Sequence, residues 1–168
     1  MFTTRFLVGY VAGTSALFGA VAWLSRARLR RIAGALAAVA VFTALSAPID
    51  NLGAATGLWV YPSCNDPPHP PLAAYLGQAL EFVGCLALIG WRIQRRFGAR
   101  GIAWLFALAL PLGACRDFGA AAIFPDVIRF GAMPGALLAD VAAWAVVLIV
   151  ALGVSRVIAG PARADALR

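Results

Sequence analysis

The chain has 168 residues, of which 62% are hydrophobic and only 12% are charged, and its mean hydropathy is +0.87. About 25% of residues are charged in soluble domains, so the composition excludes an ordinary soluble domain and indicates an integral membrane protein. All 14 basic residues are arginine, against 7 acidic residues, which gives a net charge of +7. In a membrane protein such an excess reflects topology and not nucleic-acid binding.

Apolar segments long enough to cross a bilayer recur along the chain. About 20 apolar residues span the roughly 30 Å hydrocarbon core as a helix. Candidate segments lie at about 6–24, 32–49, 72–91, 101–124 and 134–157. We therefore predict one all-α domain over residues 1–168, a compact bundle of about five transmembrane helices. The first segment also resembles a signal peptide, so cleavage of residues 1–22 stays an open alternative.

Most of the arginines lie after every second apolar segment. They follow the first segment (Arg26, Arg28, Arg30, Arg31), the third (Arg92, Arg95, Arg96, Arg100) and the fifth (Arg156, Arg163, Arg168). Short arginine-rich loops face the cytoplasm. We expect a multi-pass protein of the bacterial inner (cell) membrane, with its N-terminus outside and its C-terminus in the cytoplasm. The connections at about 50–71 and 125–133 then lie on the outer side.

Four carboxyl groups fall within or at the end of these segments. An ionisable side chain there costs about 2.5 to 3.5 kcal/mol on insertion scales, so it is a functional candidate by default. At 1.5 Å per residue, Glu81 lies about 13 Å below the outer surface and Asp117 and Asp140 about 10 Å. Asp50 ends the second segment, at the rim. Their similar depth predicts one polar site, and we take all four as candidate catalytic acids.

Other polar and aromatic residues are expected to surround these acids and to contact a substrate. They are Asn51, Trp59, Tyr61, Gln78, Phe82, Arg116 and Trp144. Aromatic rings stabilise positive charge through cation-π contacts, and Gln78 falls one turn from Glu81, within hydrogen-bonding reach. Two alternatives stay open. Arg116 could pair with Asp140 or Glu81 and only fix helix register, and Trp59 and Tyr61 could be interfacial anchors.

The chain lacks the sequence motifs of several common enzyme chemistries. There is no DDxxD-like aspartate run, no P-loop, no GxSxG and no lysine for a Schiff base. The single histidine, His69, lies in a proline-rich outer loop, where it is expected to be solvated and to bind a metal only weakly with Asp66. We expect neither cofactor nor metal. A carboxyl group buried near like charges favours its protonated form and can act as a Brønsted acid.

One stretch resembles a known family. "PIDNLGAATGLWVY" at 48–61 is similar to the P-W-D-N motif followed by W-x-Y or W-W-Y in membrane-integral lycopene cyclases, and "ALEF" at 79–82 is the nearest counterpart of their "PLEE". The resemblance implies acid-initiated, cofactor-free cyclisation or isomerisation of an isoprenoid, with Asp50 and Glu81 as catalytic acids. Phe82 replaces the second glutamate, which favours the related small membrane terpenoid cyclases that use single acids in different helices.

These observations favour a membrane-embedded isoprenoid (terpenoid or carotenoid) cyclase or isomerase acting on a neutral polyene or epoxide. Its partners would be the lipid bilayer, a hydrophobic isoprenoid substrate, and either a second membrane subunit or further copies of the chain; nucleic acid is not expected. The alternatives are a small proton-coupled transporter and a non-catalytic membrane subunit whose acids pair with a partner. A sterol isomerase of the emopamil-binding type is a variant of the first interpretation.

Overall fold

The structure, a computed structural model, describes residues 3–64 and 67–164. Asp66 and Arg168, which the sequence analysis names, lie outside the described residues. Within the described part, helices long and apolar enough to cross a membrane number 4: Thr4–Leu24, Leu29–Ala55, Leu72–Ile123 and Gly135–Ala159. The expected all-α class is therefore confirmed.

The elements follow one another with short connections. In chain order they are α1 (Thr4–Leu24), α2 (Leu29–Ala55), β1 (Trp59–Val60), α3 (Leu72–Gln78), a π-helix (Ala79–Gly84), α4 (Cys85–Ile123), β2 (Arg129–Phe130), α5 (Gly135–Ala159) and a 3-10 turn (Ala162–Ala164). The two short strands pair antiparallel, with Trp59 opposite Phe130. The π-helix joins α3 to α4 without interruption, so these form one helical stretch of 52 residues.

This long stretch reverses direction at Gly98. Gly98 has φ 63° and ψ −145°, a backbone conformation that essentially only glycine adopts. Leu105 comes 15 positions after Gly90, a distance of about 22 Å in a straight helix. Nevertheless, a Cβ on Gly90 would lie 3.3 Å from Leu105. The stretch is thus two antiparallel limbs, 72–97 and 99–123, which correspond to the predicted third and fourth segments.

The predicted end of the second helix is wrong. The apolar segment at 32–49 ends just after Pro48, a common helix-end signal, but α2 continues through Pro48 to Ala55. Transmembrane helices tolerate an internal proline because neighbouring groups satisfy the freed backbone carbonyl. Asp50 consequently lies inside the helix instead of ending it, and it is only 8% exposed.

The core includes the contact between α2 and α5. Small and branched side chains there let the backbones approach closely. Those that are buried include Ala35, Ala38, Val39, Leu148 and Ala151. A Cβ on Gly34 would meet the carbonyl oxygen of Ser155 at 2.8 Å. Because Gly34 lies near the start of α2 and Ser155 near the end of α5, the two helices run antiparallel.

One end of the bundle collects the arginine-bearing connections. Arg31 is buried and donates to the carbonyl oxygens of Gly160 at 2.6 Å and Pro161 at 2.7 Å. The turn at Gly98 lies beside Arg163. We call this the basic end, formed by residues 25–28, 95–100 and 160–164. The opposite end, with β1, β2 and the four candidate acids, is called the acidic end.

Candidate functional site

Asp50 is enclosed by aromatic hydrogen-bond donors. The indole N–H of Trp59 donates to Oδ1 at 3.0 Å and the hydroxyl of Tyr75 donates to Oδ2 at 2.5 Å. The hydroxyl of Tyr61 also hydrogen-bonds to this carboxyl group. Burial raises the pKa of the Tyr61 phenol well above its usual value, and the charge of Asp50 adds to that effect. Trp59 and Tyr61 therefore belong to the site and are not merely interfacial anchors.

The loop after α2 returns the chain onto Asp50. Gly57, with φ +70°, makes the turn, and the N–H of Gly131 donates to the carbonyl of Leu58 at 2.9 Å beside the paired strands. The indole of Trp59 then rests on Gly53, where a Cβ would overlap it. On the other strand, the ring of Phe130 stacks on Phe118 with centroids 4.1 Å apart. The strand pair thus ties the Asp50 cluster to α4.

Glu81 lies in the π-helix and accepts a hydrogen bond from α1. The hydroxyl of Tyr10 donates to Oε2 at 3.0 Å. Gln78, which at α-helical spacing would be within hydrogen-bonding reach of Glu81, forms no hydrogen bond with it; the change from α to π geometry at Ala79 alters which neighbours share a face. The ring of Tyr10 packs on Gly77, where a Cβ would lie 2.6 Å from it.

Asp117 and Asp140 lie together between α4 and α5. The indole N–H of Trp144 donates to Asp117 Oδ2 at 2.7 Å, and the guanidinium of Arg116 pairs with Oδ1. Asp140 is only 6% exposed, and its carboxyl group lies beside that of Asp117. Its Oδ2 is buried and accepts no hydrogen bond from an N–H or O–H donor among the described residues.

Arg116 connects this pair to the Glu81 segment. Its guanidinium lies 4.6 Å above the centroid of the Phe82 ring, and Phe82 meets Trp144 edge to face with centroids 5.0 Å apart. Arg116 forms its ion pair with its neighbour Asp117. The register hypothesis had proposed a pair with Asp140 or Glu81 instead. Arg116 therefore covers an aromatic face and fixes one carboxylate.

The same arrangement occurs three times. An aromatic donor binds an acid and packs on a glycine one turn away on the helix that carries the acid. The sets are Asp50 with Gly53 and Trp59, Glu81 with Gly77 and Tyr10, and Asp117 with Gly113 and Trp144. Because glycine has no side chain, the aromatic ring can lie directly against the helix while its N–H or O–H group reaches the acid.

Some residues fall outside this arrangement or were missed. Asn51 is exposed, because its side chain points about 100° around α2 from that of Asp50. Tyr10 and Tyr75 were not predicted, since an isolated tyrosine gives no sequence signal that it faces an acid on another element. His69 is half-buried rather than solvated, and its ring centroid lies 5.9 Å from that of Tyr75.

Comparison with known proteins adds nothing to this geometry. No family model, no curated protein and no solved structure matches the chain.

Proposed function

We propose that this protein is a membrane-embedded isoprenoid cyclase or isomerase that protonates a neutral polyene or epoxide with buried carboxylic acids and no cofactor. One observation carries the proposal. Asp50, Glu81, Asp117 and Asp140 come from separate helical segments and lie at the acidic end, where aromatic donors hydrogen-bond three of them. Buried acids with aromatic rings beside them are what carbocation chemistry requires.

The proposal includes a topology of five crossings. As a straight helix, the stretch Leu72–Ile123 would be about 78 Å long, more than twice the hydrocarbon thickness. The reversal at Gly98 divides it into limbs of about membrane length. Because the basic end carries the arginine-rich connections, it faces the cytoplasm. The acidic end then opens to the outer side of a bacterial inner membrane.

The aromatic groups support the chemistry in a second way. A carbocation is stabilised by the faces of tryptophan, tyrosine and phenylalanine, and Phe82, Trp144, Trp59 and Tyr61 lie beside the acids. Fixed N–H and O–H donors also stabilise a carboxylate that forms as a proton leaves it, without rearrangement at the moment of reaction. The paired donors on Asp50 serve this purpose.

The π-helix at Glu81 supports a functional role for that segment. Single π-helical turns are rare in proteins, and those that occur often lie at functional sites. This one covers Ala79–Gly84 and so includes the "ALEF" sequence. It points Glu81 towards Tyr10 of α1, and it places Phe82 between Arg116 and Trp144.

A proton-coupled transporter fits less well. Such a protein needs a water path from both membrane faces to its acids. At the basic end, however, Arg31 is bound to the carbonyls of Gly160 and Pro161, and Trp91 donates to Ala162 at 3.3 Å. Contacts between helix ends thus occupy part of the end where such a path would open.

The test is turnover in membranes that contain the full chain. We would incubate them with linear polyenes or their terminal epoxides and identify cyclised or isomerised products by mass spectrometry and NMR. Asp50→Asn and Glu81→Gln should each lower turnover. Asp126→Asn is the matched control, because Asp126 is an exposed carboxylate paired only with Arg129. Full activity of both site variants would refute the residue assignment, and absence of product in the wild type would refute the function.

A further inference from the structure

The turn between α1 and α2 lines a half-open cavity at the basic end of the bundle. Its volume is about 500 Å³, and its walls are formed by Ala22, Trp23, Leu24, Arg26 and Ala27. Sites for small molecules have volumes of about 300–1,000 Å³, so the cavity is large enough to hold one. It lies at the opposite end from the four candidate acids, and the proposed chemistry does not use it.

Arg26 occupies a position of this turn that usually belongs to glycine. The N–H of Ala27 donates to the carbonyl of Ala22 at 2.9 Å, and the N–H of Arg26 donates to that of Trp23 at 2.9 Å. These two bonds form a Schellman motif, in which the residue at the place of Arg26 is left-handed and is usually glycine. Arg26 has φ 50°, and no other non-glycine residue in the described ranges has a positive φ. An arginine held in a strained conformation is a candidate functional group.

The turn itself does not need the side chain of Arg26. Its backbone is held by the two bonds of the motif, and the hydroxyl of Ser25 donates to the carbonyl of Ala22 at 3.1 Å. A hydrophobic contact between the residues at the places of Ala22 and Ala27 often accompanies the motif. Because both are alanine, the space that larger side chains would fill stays open. The local sequence thus produces a cavity with an arginine in its wall.

The charges around the cavity have one sign. The basic end, residues 25–28, 95–100 and 160–164, contains six arginines and no acidic residue. All but Arg95 are exposed among these arginines, which are Arg26, Arg28, Arg95, Arg96, Arg100 and Arg163. A concentration of positive charge attracts anions, and arginine can form two parallel hydrogen bonds with a phosphate. The cavity therefore suits a ligand with an anionic group.

The rest of the cavity wall is apolar and continues along α1. Trp23 is 77% exposed and Leu24 is 70% exposed, and both lie at the end of a helix long and apolar enough to cross a membrane. Tryptophan favours the boundary between hydrocarbon and headgroups. A free phosphate would contact Arg26 and leave this apolar wall uncovered. A phospholipid would use both parts of the cavity.

We infer that the turn between α1 and α2 binds a phospholipid with a negatively charged headgroup, whose phosphate lies against Arg26 and whose acyl chain lies against Trp23 and Leu24. Basic pockets at the cytoplasmic end of membrane helices bind the headgroups of anionic lipids in this way. The inference does not depend on the proposed reaction, because the site and the candidate acids lie at opposite ends of the bundle.

Thermal unfolding of the delipidated full chain in neutral detergent tests the ligand. Phosphatidylglycerol should raise the melting temperature, since a ligand that binds the folded state stabilises it. Phosphatidylcholine and free glycerol phosphate should not. Arg26→Gln should weaken the binding of phosphatidylglycerol at least about tenfold, the effect of losing one hydrogen bond to a charged group. Arg100→Gln is the matched control, because it removes a charge from the same end but does not line the cavity.

Three results of this experiment would overturn the site. An equal loss in Arg26→Gln and Arg100→Gln would mean diffuse attraction to the basic end. An equal response to glycerol phosphate would mean a site for a free anion, and an equal response to phosphatidylcholine would mean that the charge of the headgroup is not recognised.

Arg26→Gly separates lipid binding from folding. Glycine adopts the left-handed conformation without strain, so without lipid this variant should melt at the temperature of the wild type or above it. Its response to phosphatidylglycerol should nevertheless be lost, and Arg26→Lys should keep part of it. A lower melting temperature of Arg26→Gly without lipid would mean that the arginine serves the fold. Asp165 lies outside the described residues; if Asp165→Asn lowered the lipid-free melting temperature as Arg26→Gln did, an internal ion pair would replace the lipid.

Brominated lipids test the position of the acyl chain. The fluorescence that is lost in Trp23→Phe should be quenched more strongly by phosphatidylglycerol brominated on its acyl chains than by brominated phosphatidylcholine, each at the same fraction in phosphatidylcholine vesicles. Arg26→Gln should remove this difference. Equal quenching by the two lipids in the wild type would overturn the contact with Trp23.

Discussion

Trp144 of α5 donates its indole N–H to Asp117 of α4 at 2.7 Å, and its ring lies on Gly113 of the same α4 limb. The bond joins two helices that are long and apolar enough to cross a membrane, where polar groups find few other partners. Tyr10 and Trp59 hold Glu81 and Asp50 in the same manner. Each of these three acids is thus fixed by an aromatic side chain from another part of the chain, and stability and site geometry depend on the same contacts.

Replacing Trp144 by Phe should separate the hydrogen bond from the packing. The phenyl ring still occupies the place beside Gly113, but Asp117 loses its donor. A hydrogen bond to a charged group contributes about 1.5–3 kcal/mol, so we expect the free energy of unfolding to fall by roughly that amount. Turnover should fall as well, because Asp117 is no longer held towards Asp140. Thermal unfolding in detergent and the turnover assay measure the two effects.

Trp91→Phe is the control for this change. Trp91 is also buried, and its indole N–H donates to the carbonyl of Ala162 at 3.3 Å, at the basic end. A hydrogen bond between neutral groups contributes about 0.5–1.5 kcal/mol. We expect a smaller loss of stability and unchanged turnover. If both variants lost turnover equally, a general weakening of the bundle would explain the result, and Trp144 would have no special role.

Alanine at Gly113 should destabilise the protein by forcing the Trp144 ring away from α4. The added Cβ overlaps the indole, and overpacking a well-filled site costs about 1–3 kcal/mol. Gly19→Ala is the matched control on α1, because nothing lies within 4 Å of its Cβ position. The melting temperature should fall for Gly113→Ala and stay unchanged or rise slightly for Gly19→Ala. Equal melting temperatures would mean that the contact between Gly113 and the Trp144 ring accommodates an added Cβ.

Much of the architecture could be predicted from the sequence because its physical cause is local. Twenty apolar residues in a row indicate a helix of membrane length, and the sorted arginines predicted which connections share an end. Counting 1.5 Å per residue from each segment end also placed Glu81, Asp117 and Asp140 at similar depth. The structure brings these three acids to one end of the bundle, although their catalytic role stays a prediction.

The errors concern relationships that no local pattern reveals. Pro48 suggested a helix end, yet α2 continues to Ala55 because tertiary packing outweighs the local preference. Gln78 was placed within hydrogen-bonding reach of Glu81 on the assumption of α-helical spacing, which the π-helix does not have. Tyr10 lies 71 residues from Glu81, and only the folded bundle makes them neighbours.

Gly98→Ala should disrupt the reversal between the two limbs of α4. Gly98 has φ 63° and ψ −145°, and holding a residue with a Cβ in such a region costs about 1–3 kcal/mol. Gly153→Ala on α5 is the control, because Gly153 is helical and its Cβ position is open. Thermal unfolding should show a lower midpoint for Gly98→Ala alone. An unchanged midpoint would mean that the turn tolerates another conformation and that Gly98 does not fix it.

The proposed orientation predicts the reactivity of Cys64, which is partly exposed in the connection between α2 and α3 at the acidic end. In cells carrying Cys115→Ser, a membrane-impermeant maleimide should label Cys64 from outside, because the acidic end faces outward. With Cys64→Ser added, labelling should be lost. Arg95→Cys in that background should react only after the cells are opened, since the limb 72–97 crosses the membrane between the two sites. Labelling of both positions from one side would rule out that crossing, and the reversed pattern would invert the orientation.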